Sequence, residues 1–145
     1  MIRSILVGTA LCVGATVVLA QGDVIAQRRE IMKANGAATR AGAQMVKGEA
    51  PFDLAKAKEI LQTYASAADK MHSYFPETSK SGGETTAGPK IWESQADFRK
   101  RFDDWAADIK KASAQTKDLD TFKEAFGTVT KACGSCHETY RIKKS

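Results

Sequence analysis

Between its three prolines, Pro51, Pro76 and Pro89, the chain repeats apolar residues at alternating spacings of three and four. That is the period of an α-helix with one buried face. One segment carries Leu54, Ala57, Leu61, Tyr64, Ala68, Met71 and Phe75, and the next, running from Ile91, carries Phe98, Phe102, Trp105, Ile109 and Ala112. The last carries Phe122, Phe126, Val129, Cys133, Cys136 and Tyr140. The first segment is weaker: Ile25, Met32, Thr39 and Val46 recur seven apart, with Arg28, Asn35 and Gly42 between them. Gly48 is placed to stop the first helix, Asp53 to cap the second, and Asp118 or Asp120 to cap the fourth. The polar run from Pro76 to Gly88 reads as one long flexible loop. Four helices of roughly 20 residues, joined by one long and two short loops, predict an all-α, antiparallel up-down-up-down four-helix bundle.

The first twenty residues, Met1–Ala20, differ from the rest. One cation, Arg3, precedes an uncharged and mostly apolar run that ends Val18-Leu19-Ala20. Small residues at the last and third-last positions suit signal peptidase, so the expectation is a cleaved signal peptide over 1–20 and a working domain over 21–145. As a membrane anchor the apolar run falls short of the ~20 residues that a bilayer requires. A secreted chain of this kind belongs in the periplasm, and Cys133 and Cys136 are its remaining cysteines.

Of the 145 residues, 43% are hydrophobic and 27% charged, which suits one globular domain with a core and argues against disorder. The net charge is +5, but lysines alternate with acids as on solvated helix faces, so no nucleic-acid partner is expected. Lysines between Lys110 and Lys144 gather toward the second half, where they would either aid solubility or steer an acidic redox partner. No GxSxG, Walker loop or GxGxxG is present, and the histidines are His72 and His137. Nothing here points to an enzyme.

The chemistry is concentrated in Cys133-Gly134-Ser135-Cys136-His137. CxxCH is the attachment sequence of c-type haem. On a helix, residues i, i+3 and i+4 share a face, so two sulfurs and an imidazole reach one flat group together. The cysteines would form thioethers to a single covalent haem c, and His137 would be the proximal iron ligand. A thioredoxin-like dithiol would need a βαβ setting. A zinc site would have to combine Cys133, Cys136, His137 and His72, with two of its ligands adjacent in sequence. A disulfide across CxxC would close only a tiny loop. His72, ahead of the long loop, reads as a helix C-terminal cation rather than an iron ligand.

This ending, Lys131-Ala132-Cys133-Gly134-Ser135-Cys136-His137-Glu138-Thr139-Tyr140-Arg141, resembles that of the cytochrome c′ family, the class II cytochromes c. Tyr74-Phe75-Pro76 and Pro89-Lys90-Ile91-Trp92 are weaker landmarks of the same likeness, which spans Gln21 to Ser145. The family implies a four-helix bundle with its haem near the C-terminal helix. Its high-spin members leave the sixth iron position empty and bind nitric oxide or carbon monoxide, whereas the low-spin cytochrome c-556 branch places a methionine there. The stretch Arg28-Arg29-Glu30-Ile31-Met32-Lys33-Ala34-Asn35-Gly36 looks like the low-spin branch, with Met32 at the distal position. By this resemblance the chain is an electron carrier between periplasmic redox proteins. Met45 and Met71 serve as controls for Met32. Arg28 and Arg141 are candidates for the haem propionates or the proximal side, and Trp92, Phe98, Trp105, Phe126 and Tyr140 for core or haem packing. The small residues Gly36, Ala37, Ala38, Ala41 and Gly42 would admit either a second subunit, making a homodimer, or close packing within the bundle.

Overall fold

The computed structural model describes the backbone of residues 13–143 and side chains from residue 24 onward. The leader expected over 1–20 therefore lies outside the described side chains. Helix α1 is Val13–Lys47, α2 Leu54–Lys70, α3 the short turn Lys90–Glu93, α4 Gln95–Gln115 and α5 Leu119–Tyr140. Helix α1 packs on α2 and α5, and α4 packs on the same two, so the four long helices form an antiparallel up-down-up-down bundle. Among the described residues the extended pairing is one isolated bridge, Ala87 to Arg141, and no helix is long and apolar enough to cross a membrane.

The predicted ends are where local chemistry puts them. After Lys47, Gly48 adopts φ +75°, the left-handed turn that glycine tolerates. Asp53 accepts from the Lys56 amide at 3.0 Å. Asp118 accepts from the Thr121 amide at 2.9 Å while Thr121 Oγ1 accepts from the Asp118 amide at 3.1 Å, a reciprocal cap. Asp120 stands in the first turn of α5, where a negative charge meets the helix dipole.

Two expectations change. The third helix is not continuous from Ile91: it breaks at Ser94, φ −137° and ψ 50°. Ile91 and Trp92 belong to the separate turn α3, where the Trp92 indole donates to the carbonyls of Phe75 and Pro76 at 3.1 and 3.2 Å. The long loop is not a free tether either. Ser79 within it is fully buried, and Arg28 donates to its hydroxyl and carbonyl oxygens at 3.3 and 3.4 Å. At its other end the Gly88 amide donates to the Tyr140 carbonyl at 2.7 Å, and Ile142 donates to Thr86 at 2.9 Å. Polar loop groups can be buried because helix residues far away in sequence satisfy them.

Tyr64, Phe122, Ile60, Leu61, Ile109 and Val129 make up the fully buried centre. Helix α1 meets α5 at Gly42, where an added Cβ would lie 2.3 Å from the Phe126 ring. The small-residue strip thus serves packing within the bundle at that position. Gly42→Ala gains a little helix propensity, but overpacking here costs about 1–3 kcal/mol. Urea unfolding should show a net loss; a stabilised variant would mean that the two helices can part at no cost.

Candidate functional site

One turn along α1 from Gly42, the bundle opens. Thr39, Asn35, Met32 and Arg28 of α1, with Ala132, Cys133, Cys136 and His137 of α5, line a single cleft of about 800 Å³. Phe75, Phe98, Phe102 and Trp105 form its aromatic wall. Helix α5 thus uses one stripe twice: Phe122, Phe126 and Val129 are buried in the core, and Cys133 and Cys136, continuing the same spacing, are half-buried in the cleft.

Neighbouring helices hold that stripe in register. The Trp105 indole of α4 donates to the Val129 carbonyl at 3.1 Å, one turn before Cys133. Past the motif, the Tyr140 hydroxyl is hydrogen-bonded to the Asp97 carboxylate, which also accepts from Arg101 Nε at 3.2 Å. The Arg101 guanidinium lies 5.4 Å from the centre of the Tyr140 ring. Both hydrogen bonds hold the Asp97 carboxyl below its usual range.

The electrostatics prepare the donors. Burial pushes both thiols above the ordinary 9.0, so they carry their protons at neutral pH. Burial, followed by the like charge of Arg141, lowers the His137 imidazole below 6.5, leaving it neutral with a free lone pair although its outer edge is exposed. Two sulfurs and one neutral imidazole on one face, beside an apolar aromatic wall, fit a flat iron porphyrin. The volume is within the roughly 300–1,000 Å³ of small-molecule sites.

The candidate residues divide as follows. Cys133, Cys136, His137, Met32, Arg28 and Arg141 all reach the cleft. Arg28 is 5% exposed, spends both terminal nitrogens on Ser79, and lies 4.5 Å over the Phe75 ring, so it anchors the loop before it does anything else. Trp92 does not line the cleft: it packs behind Phe75, 6.1 Å between ring centres, and Phe75 takes the place expected of it. Phe126 belongs to the α1–α5 contact. Of the control methionines, Met71 lines the cleft and Met45 is buried elsewhere. Among the described residues no three His, Cys, Asp or Glu side chains gather as a metal cluster, and His72 stays outside the cleft, so the four-ligand zinc arrangement does not form. Both cysteines are free, with no disulfide between them.

Sequence reasoning missed a polar group on the α1 wall. Thr39 Oγ1 donates to the Asn35 carbonyl at 2.8 Å, and the Tyr64 hydroxyl completes the chain 2.8 Å from Thr39. The buried Asn35 lies midway between Met32 and Thr39 in the seven-residue spacing; that intermediate position was its only signal.

A covalent haem site on the last helix of a four-helix bundle defines a c-type cytochrome of the bundle class. Residues 23–141 match the family model for cytochrome C′, and the chain belongs to that family, whose cofactor is covalently bound haem c. It is 44% identical over 132 residues to a cytochrome c′ of Rhodopseudomonas palustris, covering 91% of this chain and 90% of the relative. It is 33% identical over 148 residues to a cytochrome c-556 of the same species, covering 99% of both. The solved structure of cytochrome c′ from Rhodopseudomonas palustris superposes with a TM-score of 0.81 at 45% identity, covering 85% of this chain and 98% of that one.

Burial pushes the Tyr64 hydroxyl up to about 12. In the unfolded chain it ionises near 10, so from pH 10 to 12 the unfolded state sheds a proton that the folded state keeps. Stability that is intact below pH 10 should fall across that window. Tyr64→Phe removes this contribution, and its thermal unfolding should decline less steeply with pH than that of the unaltered protein. Parallel curves would show that the phenol is not desolvated.

Proposed function

We propose that the protein is a periplasmic one-electron carrier, its haem c joined through Cys133 and Cys136, with His137 as proximal and Met32 as distal iron ligand. The observation that carries this reading is that a methionine of α1 and the Cys133–His137 stretch of α5 line one cleft. The bound haem supplies a one-electron iron couple. The chain's own residues do the rest. Neutral thiols at Cys133 and Cys136 are available as thioether donors, and neutral His137 offers a lone pair. The aromatic wall keeps water out and lowers the local dielectric. Thioether–imidazole ligation favours the reduced state and raises the potential, which suits electron transfer. Arg141, exposed at the rim, is the cation best placed for a propionate, while Arg28 keeps further N–H groups beyond those given to Ser79. The lysines between Lys110 and Lys144 are the charges that would steer an acidic periplasmic redox partner.

A second reading has its own observation. A 28%-identical solved structure, a variant of cytochrome c′ from Alcaligenes xylosoxidans, is a nitric oxide complex. On that reading Met32 leaves the iron open to nitric oxide or carbon monoxide.

The visible spectrum separates the two. The oxidised protein should show a sulfur-to-iron charge-transfer band. Met32→Ala should abolish it, turn the iron toward high spin and admit carbon monoxide, while Met71→Leu should retain it. A band that survives Met32→Ala rules Met32 out, and a wild-type protein without the band favours the gas-binding reading. Mass spectrometry should find one haem on the polypeptide, lost when Cys133 and Cys136 are both changed to Ala; retention of the added mass would place the attachment elsewhere.

A further inference from the structure

Among the described residues two large apolar side chains are exposed, Leu54 at 37% and Ile142 at 49%. They stand at opposite ends of the bundle: Leu54 opens α2, and Ile142 follows the end of α5. An isolated exposed apolar residue means little by itself. The setting of Ile142 is what distinguishes it. Its amide donates to the Thr86 carbonyl at 2.9 Å, so the segment is held in place rather than frayed. Its side chain lies over Gly88, where an added Cβ would stand 3.7 Å from Ile142 Cγ2. Arg141, next in sequence, and Thr86, across the hydrogen bond, both line the cleft. Ile142 therefore stands fixed on the rim of the haem site.

The charge at this end is unbalanced. Among the described residues Lys90, Arg99, Arg141 and Lys143 take part in no ion pair. Nearby acids are spent on other partners: Glu84 on Arg29, Glu77 on Lys80, and Asp97 on Arg101 and Tyr140. Glu93 and Glu138 remain, so the unpaired cations outnumber the unpaired acids two to one. Lys90 follows Gly88 by two residues, and Arg141 and Lys143 flank Ile142 directly. The lysines gathered in the second half of the chain are divided by the fold. Lys110, Lys111, Lys117 and Lys123 surround the junction of α4 and α5 at the far end, with Leu54. They attract an acidic protein from a distance but do not face the cleft.

Building on the electron-carrier reading, we propose that Ile142, with Lys90, Arg141 and Lys143, is the docking face for an acidic redox protein. The cations orient the partner's acidic surface, and Ile142 gives it one apolar contact beside the cleft. One electron then passes from the reduced partner to the haem, with no bond made or broken. A contact this small suits a partner that must leave after each transfer.

The test uses haem-loaded protein and two reduced donors: flavodoxin, an acidic flavin protein, and riboflavin, a neutral molecule with the same redox group. Rim variants are Ile142→Ser and Lys90→Glu combined with Lys143→Glu. Far-end controls are Leu54→Ser and Lys110→Glu combined with Lys111→Glu. At low salt the rim charge reversal should slow reduction by flavodoxin about tenfold, and high salt should erase the difference. Ile142→Ser should slow it about threefold at either salt, since burial of apolar surface is not screened. The far-end controls should keep the wild-type rate, and riboflavin should reduce every variant alike. Wild-type flavodoxin rates in either rim variant would overturn the proposal, as would equal slowing in the far-end controls or slowing with riboflavin. So would wild-type protein that sediments with phosphatidylglycerol vesicles while the rim variants do not, because the face would then belong to a membrane surface. If riboflavin reduces the wild type but the rim variants are silent toward flavodoxin, this inference falls and the carrier reading stands. If neither donor reduces the wild type, the carrier reading falls and takes the docking face with it.

Discussion

The last helix has to pack and to carry chemistry with a single stripe. Phe122, Phe126 and Val129 are buried against the neighbouring helices, and the same three-and-four spacing then delivers Cys133, Cys136 and His137 to the cleft. A helix rotated by one residue would misplace the core and the donor set together. Rotation is resisted by hydrogen bonds to the α5 backbone on either side of the motif. Trp105 binds the Val129 carbonyl below it, and the loop glycine Gly88 binds the Tyr140 carbonyl above it. Buried hydrogen bonds of this kind are costly to leave unmade, so the register of the motif is secured by the fold as a whole.

The cleft lies beyond a close contact between α1 and α5. At Gly42 the absence of a side chain lets the Phe126 ring lie against the α1 backbone. One turn further along, the residues are larger and face open space. The loop then covers the open end, with Thr85, Thr86 and Ala87 on the cleft wall and Arg28 tying Ser79 down. Among the described residues the buried Arg28 has no carboxylate partner, and desolvation lowers its pKa from the ordinary guanidinium value. The Phe75 ring face and the Ser79 oxygens supply the compensation. Exposed ion pairs such as Lys100–Asp104 decorate the outer faces and contribute little by comparison.

Membership of the cytochrome c′ family accounts for the bundle and for the covalent haem c. Whether Met32 ligates the iron or leaves it open, as the two proposed readings have it, turns on the α1 wall. There the side chains at Met32, Asn35 and Thr39 come within successive turns, each answering to Tyr64 or to the cleft. The mixture of a soft sulfur and a short polar network is what makes this wall chemically distinctive.

Sequence alone determined the elements and the chemistry, because both follow from short-range rules. Apolar spacing named the helical segments, Asp53, Gly48 and Asp118 marked their ends within a turn, and CxxCH placed three donors on one helical face through spacing alone. What only the tertiary structure decided depends on residues far apart along the chain. Arg28 meets Ser79 across 51 positions, and Trp105 meets Val129 across 24. Trp92 lies behind Phe75 because α3 breaks away at Ser94, which no periodicity encodes. The unpartnered oxygen of Asn35 is likewise invisible in sequence, because satisfaction of a polar atom depends on every neighbour that surrounds it.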